Sequence, residues 1–288
     1  MEADPDRDNG AENSHTTGFG RIFNIEKKFP GGEVKYVWGE TEEYAKNAMN
    51  KGQIPNMVND PLEMVGKIDA LIVDHRYPKY HLEAALPFVK AGIPTFIDKP
   101  FCYRLTEGRK FLELARQLGT PVSSYNSEAH IDSIFDMIKK VGSMGEISHA
   151  TVIGPADFHS PYGGIFFYGV HLVQPLMYLF GDDIQKVRVT NSGKNATASL
   201  VFGNRMLATL IIKNLSYGWR RFVETKEGTV ELTSDYKKDD QIRYYADMVE
   251  MFRYGKEPRS HESILKCVAV LEVLEQSGKN EKWVSVKS

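Results

Sequence analysis

Two short apolar runs separated by a helical segment constrain the fold of this chain more than any other feature. Residues Ile68–Val73 and Thr95–Ile97 are mostly apolar or β-branched, as is typical of strands buried on both faces of a parallel sheet. The segment between them, His81–Lys90, has a helical pattern, although Pro87 predicts a kink or an early end. Parallel neighbours require such a crossover, so the pattern predicts an α/β unit.

The same alternation extends to both sides of these runs. Strands are predicted at Val34–Trp38 and Pro121–Tyr125, and helices at Glu42–Asn50 and Thr106–Leu118. Gly119 stands where a glycine commonly ends a helix. Strands and helices alternating at this spacing predict a Rossmann-like, doubly wound parallel sheet, and we assign residues 1–124 to this first domain.

The second half of the chain has a different pattern, in which strand candidates follow one another closely. An apolar stripe from Ile131 to Val141 predicts an opening helix. The predicted strands are Lys186–Asn191, Ala196–Phe202, Met206–Lys213, Arg221–Thr225 and Thr229–Leu232, and the closing helices are about Gln241–Phe252 and Glu262–Gln276. Short turns between successive strands favour a mostly antiparallel sheet, so residues 125–288 are predicted to form an α+β domain.

A turn and a helix start near the N-terminus could hold a phosphate. Gly10 is followed by Asn13, Ser14 and His15, ahead of a helical segment, and backbone N–H groups at a helix start bind anions. Ser14 or Thr16 could cap this helix. A nucleotide site of the Rossmann type needs such a turn to follow a central apolar strand.

The residues ahead of this turn do not meet that requirement. Met1–Asn9 contains four acids, an arginine and a proline, and such a segment cannot form a strand buried in the centre of a sheet. We therefore predict that the parallel sheet is incomplete at its N-terminal strand, with a groove beside Ile68–Val73. An incomplete gene product is one explanation that the sequence leaves open.

Charged side chains follow directly after the two buried strands. Pro100 lacks an N–H and favours extended geometry in the residue before it, so the second strand stops at Asp98 and Lys99. His75 and Arg76 follow the first strand. The carboxyl ends of parallel strands share one edge of the sheet, where ligands bind in open α/β folds. We therefore expect these side chains to line a ligand site.

Several motifs of the chain resemble those of one protein family. Ile97–Pro100 resembles the Glu-Lys-Pro signature of the Gfo/Idh/MocA oxidoreductases, the relatives of glucose–fructose oxidoreductase and inositol dehydrogenase. Gly163–His171 is similar to the family's glycine-rich segment, which leads into a helix with an active-site histidine. Tyr254–Pro258 and Trp283–Val286 resemble its closing pattern. The resemblance extends from about Gly10 to the C-terminus, and it implies the family's fold and chemistry.

The chemistry implied by the resemblance is hydride transfer between a nicotinamide cofactor and a sugar, a polyol or a related hydroxyl compound. The resemblance assigns His171 as the base that removes the hydroxyl proton, a role that suits a group titrating near neutrality. It assigns Lys99 as the partner that hydrogen-bonds the reacting oxygen. Asp98 stands where the family usually has glutamate, and this shorter acid keeps the charge.

The resemblance also implies a bound NAD or NADP. Glu40 follows the second strand of the predicted sheet, where an acid binds the ribose hydroxyls and repels a 2′-phosphate, so it favours NAD. A solvated surface acid is the alternative interpretation of Glu40. His81 lies where the family usually has a histidine, in a loop beside the nicotinamide. The predicted cofactor-binding residues are Gly10, Asn13, Ser14, His15, Glu40, His75, Arg76, His81, Asp98 and Lys99.

One position departs from the family pattern. The family usually has an aspartate four residues before its active-site histidine, and Phe167 stands there in this chain. The residues predicted to contact substrate are Tyr125, Tyr168 and Gln174, none of which replaces a carboxylate. The departure leaves a second interpretation open, in which the chain keeps the fold and a ligand cleft for binding or regulation.

Composition disfavours several classes of partner. The 288 residues carry a formal net charge of −2 and no basic run, which disfavours a nucleic-acid partner. Cys102 and Cys267 lack the spacing of a metal site or a disulfide framework, as suits a reducing cytoplasm. No apolar stretch reaches the length of a membrane span. We therefore expect a cytoplasmic protein without a metal or membrane partner. The family resemblance implies a small-molecule sugar or polyol substrate and a homo-oligomer formed through the C-terminal sheet.

Overall fold

The computed structural model describes residues 14–214, 218–233 and 241–287 of the chain. Its helices are α1 (Ser14–Gly20), α2 (Glu42–Gly52), α3 (His81–Lys90), α4 (Leu105–Leu118), α5 (Asp132–Gly142), α6 (Ile165–Phe180), α7 (Ile242–Tyr254) and α8 (His261–Asn280). Its strands are β1 (Tyr36–Val37), β2 (Asn56–Met57), β3 (Leu71–Val73), β4 (Thr95–Ile97), β5 (Val122–Ser123), β6 (Ile147–Pro155), β7 (Ile184–Ser192), β8 (Asn195–Phe202), β9 (Leu207–Lys213), β10 (Arg220–Thr225), β11 (Gly228–Glu231) and β12 (Val284–Ser285). A π-helical turn at Arg21–Ile25 continues α1, and short 3₁₀ turns lie at Pro61–Met64 and Pro78–Tyr80.

Local capping residues set the ends of several helices. The Thr41 hydroxyl accepts a hydrogen bond from the Tyr44 N–H at the start of α2, at 3.2 Å. Ser260 caps α8 in the same way, with the Ser263 N–H as donor. Gly119 ends α4 in the left-handed conformation, with φ of 67°, as its place in the sequence predicts. These boundaries therefore follow from residues next to them in the sequence.

The first half of the chain forms two short parallel sheets. β1 pairs with β2, and β3, β4 and β5 pair in that order, all in parallel. Among the described residues, no strand lies between β1 and β3, which is where the sequence analysis predicts a groove. The Rossmann-like parallel arrangement is confirmed, whereas the domain boundary predicted after residue 124 stays a prediction.

Helix α1 lies between α2 and α7. A Cβ atom on Gly20 would lie 2.5 Å from the Cα of Gly52, so only glycine fits where α1 meets α2. Phe19 and Phe23 both meet Tyr245 of α7 edge-on, at centroid distances of 6.0 and 6.2 Å. These contacts fix α1 in place beside the parallel strands.

The second half forms one seven-stranded sheet, in the order β11-β10-β6-β9-β8-β7-β12. Its neighbours are antiparallel except β6 and β9, which are parallel, and this confirms the predicted α+β class. Helices α6 and α8 pack together, and they contact β6 and β7. The sequence analysis does not predict β6, because Ser148, His149 and Gly154 interrupt its apolar pattern.

Two prolines lie inside helices. Pro87 lies within α3, which continues to Lys90, so an early end of the helix at this residue is wrong. Pro175 lies within α6, whose buried residues continue on both sides of it. Within the ranges given above, no helix is both long enough and apolar enough to cross a membrane.

Candidate active site

The carboxyl ends of β3 and β4 bring the predicted charged residues to one edge of the sheet. Asp74–Arg76 follows β3, and Asp98–Lys99 follows β4. Val73 and Ile97 are paired in register, and the Asp98 N–H donates to the Val73 carbonyl at 2.8 Å. The residues directly after the two strands are therefore neighbours, at the edge where open α/β sheets bind ligands.

Asp98 is fully buried and lies against the first turn of α1. His15 Nδ1 lies 2.8 Å from the Asp98 Oδ2. Burial alone would raise the pKa of the Asp98 carboxyl, but the charges of His15 and Lys99 outweigh it and hold that pKa below its ordinary value. Asp98 is therefore ionised in the folded protein and joins α1 to the end of β4.

Lys99 follows Asp98, and the peptide bond from Lys99 to Pro100 is cis. Its side chain is 8% exposed. Burial disfavours the charged form and lowers the pKa of Lys99, and the positive charge of Arg76 adds to this effect, whereas the Asp98 carboxylate opposes it. The ammonium group lies 5.6 Å from the centroid of the Phe167 ring. Lys99 is thus a buried donor whose acidity exceeds that of a surface lysine.

His171 lies in α6 and is 6% exposed. Its Nδ1 atom is buried and has no hydrogen-bond partner in the described part of the chain. Burial is the main cause that lowers the pKa of His171 well below its ordinary value, and the charge of Lys99 contributes. The ring is therefore neutral at neutral pH, with a nitrogen that can take part in a further hydrogen bond, and it lies close enough to Lys99 for their charges to interact.

Aromatic side chains surround the Lys99–His171 pair. The His171 ring lies 5.3 Å from the Tyr168 ring and 5.5 Å from the Trp219 ring, between centroids. Phe167 lies 4.9 Å from Tyr168. Trp219 was not among the residues predicted from sequence, because it lies 48 positions after His171 and no local motif connects the two. Apolar rings at this distance exclude water and strengthen electrostatic interactions within the site.

Asp74 and His75 have shifted pKa values at the same edge. Burial raises the pKa of Asp74 to about 6, although a hydrogen bond from the Thr16 hydroxyl, at 2.6 Å, opposes the shift. Burial, with His81 nearby, lowers the pKa of His75 to about 4. The sequence predicts Thr16 only as a possible helix cap, and it does not predict the contact with Asp74, because the two residues are 58 positions apart. His15 and Thr16 at the start of α1 therefore contact the carboxylates of Asp98, after β4, and of Asp74, after β3.

Three predicted site residues have their polar groups occupied within the protein. His81 is fully buried, with Nδ1 3.0 Å from the Pro100 carbonyl and Nε2 2.7 Å from the His75 carbonyl. The Tyr125 hydroxyl donates to the Tyr244 carbonyl at 2.9 Å, and Gln174 Oε1 accepts from the Asn126 N–H at 2.5 Å. These hydrogen bonds hold the three side chains in place. The contacts of His81 with cofactor, and of Tyr125 and Gln174 with substrate, stay predictions.

The structure places the other predicted cofactor-binding residues in different surroundings. Gly10 and Asn13 lie outside the described residues, and Ser14 is the first residue of α1. Glu40 is exposed and follows β1 by three positions. Arg76 lies over the Tyr162 ring, with 5.4 Å between the guanidinium carbon and the ring centroid. The described residues contain no cluster of three or more histidine, cysteine or acidic side chains placed to hold a metal ion.

The groups at this edge fit the nicotinamide nucleotide that the sequence implies. Two buried ring nitrogens, His75 Nδ1 and His171 Nδ1, are without a hydrogen-bond partner in the described ranges, and Arg76 and Lys99 supply positive charge. The first turn of α1 lies at the same edge, because His15 contacts Asp98. Unpaired donors or acceptors together with cations and a helix start suit an anionic, hydrogen-bonding ligand.

Comparison with known proteins gives the same assignment. Residues 16–126 match the family model described as the oxidoreductase family GFO_IDH_MocA, NAD-binding Rossmann fold. The uncharacterized oxidoreductase YhhX of Escherichia coli strain K12 is 26% identical over 194 residues, which are 59% of this chain and 56% of that protein. The chain therefore spans about half the length of this curated relative. The predicted cofactor class, a nicotinamide nucleotide, is confirmed by the description of the matched fold.

Solved structures have the same fold over nearly the whole chain. A probable dehydrogenase from Thermotoga maritima is 14% identical, with a TM-score of 0.79 over 95% of this chain and 96% of that one. The myo-inositol dehydrogenase from Lactobacillus casei, in complex with NAD(H) and myo-inositol, is 13% identical, with a TM-score of 0.78 over 97% of this chain and 95% of that one. At these identities the likeness concerns the fold. The family model over residues 16–126 and the order of the two motifs support the resemblance to the Gfo/Idh/MocA oxidoreductases.

Proposed function

We propose that the chain is an NAD-dependent dehydrogenase that oxidises a hydroxyl group of a sugar, a polyol or a related compound. The observation that carries the proposal is the pairing of two buried groups, Lys99 and His171, at the carboxyl edge of the parallel strands. Lys99 lies over the Phe167 ring, Phe167 contacts Tyr168, and Tyr168 contacts His171, so the two side chains share one aromatic surrounding. Hydroxyl oxidation needs a proton acceptor and a donor to the reacting oxygen at one place.

His171 acts as the general base in this proposal. Its low pKa keeps the ring neutral, so an imidazole nitrogen can accept the hydroxyl proton. Lys99 donates a hydrogen bond to the same oxygen and stabilises its negative charge as the proton leaves. The carbon that carries the hydroxyl loses its hydrogen as a hydride, which takes both electrons of the carbon–hydrogen bond. The C–O bond then becomes a carbonyl. When bound, the nicotinamide ring supplies the hydride acceptor.

Each part of the cofactor would be held by residues at a different place along the edge of the parallel strands. The first turn of α1, with Ser14 and His15, would face the pyrophosphate, and Arg76 would add positive charge. Glu40 would bind the ribose hydroxyls, which favours NAD over NADP. His75, whose Nδ1 is buried without a partner among the described residues, would contact the nicotinamide side.

The experiment that tests the proposal mixes the full chain with NAD⁺ and a panel of inositols and sugars and follows NADH formation by absorbance. We expect NADH with at least one compound, and NADP⁺ to support less turnover than NAD⁺. A Lys110→Met variant, which changes an exposed lysine, serves as the control and should keep the activity. No NADH with any member of a broad panel, with NAD⁺ bound, would overturn the dehydrogenase proposal.

One observation favours a second candidate function, a binding protein without catalysis. Phe167 occupies the position of the family's aspartate, and its ring lies 5.6 Å from the Lys99 ammonium. A Phe167→Asp variant separates the two functions. If the wild-type chain is a dehydrogenase, NADH formation should already be present before the change, and the new carboxylate should only alter its rate. If the wild-type chain only binds ligand, NADH formation should begin with the Phe167→Asp variant.

We also propose that the seven-stranded sheet supports a homo-oligomer in the cytoplasm. Strands β8 and β9 alternate buried residues with exposed or half-buried ones, so the sheet packs on α6 and α8 through one face and leaves the other more accessible. Leu207 in β9 and Trp283 are large apolar residues that are 47% and 45% exposed. Analytical ultracentrifugation tests this assembly, and a monomer at all concentrations would contradict it.

A further inference from the structure

Four aromatic side chains form a row along the candidate active site. Between ring centroids, Tyr162 lies 5.0 Å from Phe167, and Phe167 lies 4.9 Å from Tyr168. The His171 ring lies 5.3 Å from Tyr168 and 5.5 Å from Trp219, and it thereby connects the two. All four aromatic side chains are half-buried, so each keeps part of its surface accessible. We call Tyr162, Phe167, Tyr168 and Trp219 the aromatic row.

The start of α6 brings three of these rings together. Gly164 has a φ of 59°, and a Cβ atom there would lie 2.7 Å from the Phe158 carbonyl oxygen, so the tight turn before α6 requires glycine. This turn places Tyr162 beside Phe167. Within the helix, side chains three or four residues apart share one face, so Phe167 and Tyr168 lie on the same side as His171.

A glycine of β6 holds the fourth ring. A Cβ atom on Gly154 would overlap the Trp219 ring and would lie 3.0 Å from a methyl group of Leu172. Only glycine therefore lets the ring lie against this strand. Trp219 directly precedes β10, which pairs with β6. The packing of the sheet thus fixes Trp219 beside His171.

The aromatic row adjoins both groups that are proposed to act on the hydroxyl. The Lys99 ammonium group lies 5.6 Å from the centroid of the Phe167 ring. His171 Nδ1 is buried and has no hydrogen-bond partner within the described ranges. Phe167 and Tyr168 connect the two groups through their ring contacts. A hydroxyl that reaches both Lys99 and His171 therefore brings the adjoining part of its molecule against these two rings.

The rings determine which chemistry suits that part of the molecule. A hydroxyl group placed against the carbon face of a ring loses hydrogen bonds to water and gains no equal partner. An apolar group in the same place buries its surface and packs against the ring. Phe167, which adjoins Lys99, carries no polar atom in its side chain. Ligand sites commonly combine such apolar walls with a few polar groups that fix orientation.

We propose that the aromatic row binds an apolar, hydroxyl-free part of the substrate, next to the hydroxyl that reacts. The inference rests on the proposed dehydrogenase function and narrows its substrate class. Two kinds of sugar carry such a part. A deoxy sugar has lost a hydroxyl, and an aryl glycoside has gained an aromatic ring. Compounds with a hydroxyl on every carbon, such as the inositols, would be poorer ligands.

Calorimetric titration of the NAD⁺-loaded full chain measures this preference in matched pairs of ligands. One pair is the phenyl and the methyl glycoside of the same sugar, and the other is the 6-deoxy sugar and its parent, each in the glucose, galactose and mannose series. We expect the more apolar member of at least one pair to bind on the order of tenfold to a hundredfold more tightly. Equal binding in every pair, tighter binding of the more polar members, or no binding by any apolar member overturns the proposal.

Protein variants test whether the preference arises at the aromatic row. Phe167→Asn replaces a ring with a hydrogen-bonding side chain, and the preference within the pair should fall on the order of tenfold. Gly154→Ala keeps every aromatic residue but displaces the Trp219 ring, and it should also weaken binding of the apolar member. The control is Tyr254→Ser, which removes a ring that is 76% exposed at the end of α7 and should keep the preference.

A preference that survives Phe167→Asn would show that the apolar group binds elsewhere and would overturn the proposal. If Phe167→Asn does not fold, Gly154→Ala decides the question by the same criterion. NADH formation with the same ligands separates this proposal from the one on which it rests. NADH without a preference within any pair would overturn the apolar contact and leave the dehydrogenase proposal intact. A preference that depends on the aromatic row, without NADH from any ligand, would support the contact and contradict the dehydrogenase proposal.

Discussion

The His15 ring lies 2.8 Å from the Asp98 carboxylate, and this contact joins the first turn of α1 to the end of β4 across 83 residues of sequence. His15 is 25% exposed on its side chain, whereas Asp98 is buried. The contact therefore has two consequences. It keeps the buried carboxylate ionised, and it places the start of α1 at the edge that carries Lys99.

His15→Ala should destabilise the fold. The change removes a hydrogen bond to a buried carboxylate, a loss that typically costs about 1–3 kcal/mol. Urea unfolding at neutral pH measures the free energy of unfolding. His159→Ala changes an exposed histidine and is the matched control, with little expected effect. If both variants unfold at the same urea concentration as the wild type, the contact does not contribute to stability.

Asp74 should make stability depend on pH. Its folded-state pKa of about 6 is above the ordinary value of 3.8, so the folded protein binds more protons than the unfolded chain between these values. The contribution of Asp74 to the free energy of unfolding therefore falls as pH rises through this window. Asp74→Asn keeps an acceptor for Thr16 and removes the titration.

The comparison of Asp74→Asn with wild type at about pH 4 and about pH 7 tests this sign. The variant should gain stability relative to the wild type at the higher pH. A Thr16→Val variant, which keeps the carboxyl but removes its hydrogen bond, should make the loss at the higher pH larger. An Asp74→Asn effect that is the same at both pH values would contradict the raised pKa.

Glu40 should set the preference between the two nicotinamide cofactors. It is exposed and follows β1, where its charge would repel a 2′-phosphate. Glu40→Ser combined with Thr41→Arg should move binding from NAD⁺ towards NADP⁺, measured by titration of each cofactor. Glu43→Ser in α2 changes a nearby exposed acid and is the control. A wild-type chain that already binds NADP⁺ more tightly would show that Glu40 does not contact the cofactor.

Much of the fold follows from local pattern, but contacts between distant residues do not. The apolar run that becomes β3, the proline that ends β4 and the helix end at Gly119 are set by neighbouring residues. β6 was missed because its polar and glycine residues break the apolar pattern, and the strand forms through pairing with β9 and β10.

Short motifs predict Lys99 and His171 as site residues. The structure buries both side chains, and their roles stay predictions. Tyr125 is predicted to contact substrate because it ends the last strand of the parallel sheet, and Gln174 because it lies one helical turn after His171. Their polar groups hydrogen-bond the main chain of Tyr244 and Asn126, and the substrate contacts stay predictions. Which buried polar group is used by the core depends on tertiary contacts that the sequence order does not contain.

The central claim is that Lys99 and His171 act together on one hydroxyl group. The most direct measurement is a double-mutant cycle of turnover with the best substrate, using Lys99→Met, His171→Asn and the double variant. Each single change should lower turnover on the order of 10²–10³-fold. Because the groups act as a unit, the double variant should be little worse than the poorer single variant. Unchanged turnover in either single variant, or a double loss equal to the product of the single losses, would contradict the account.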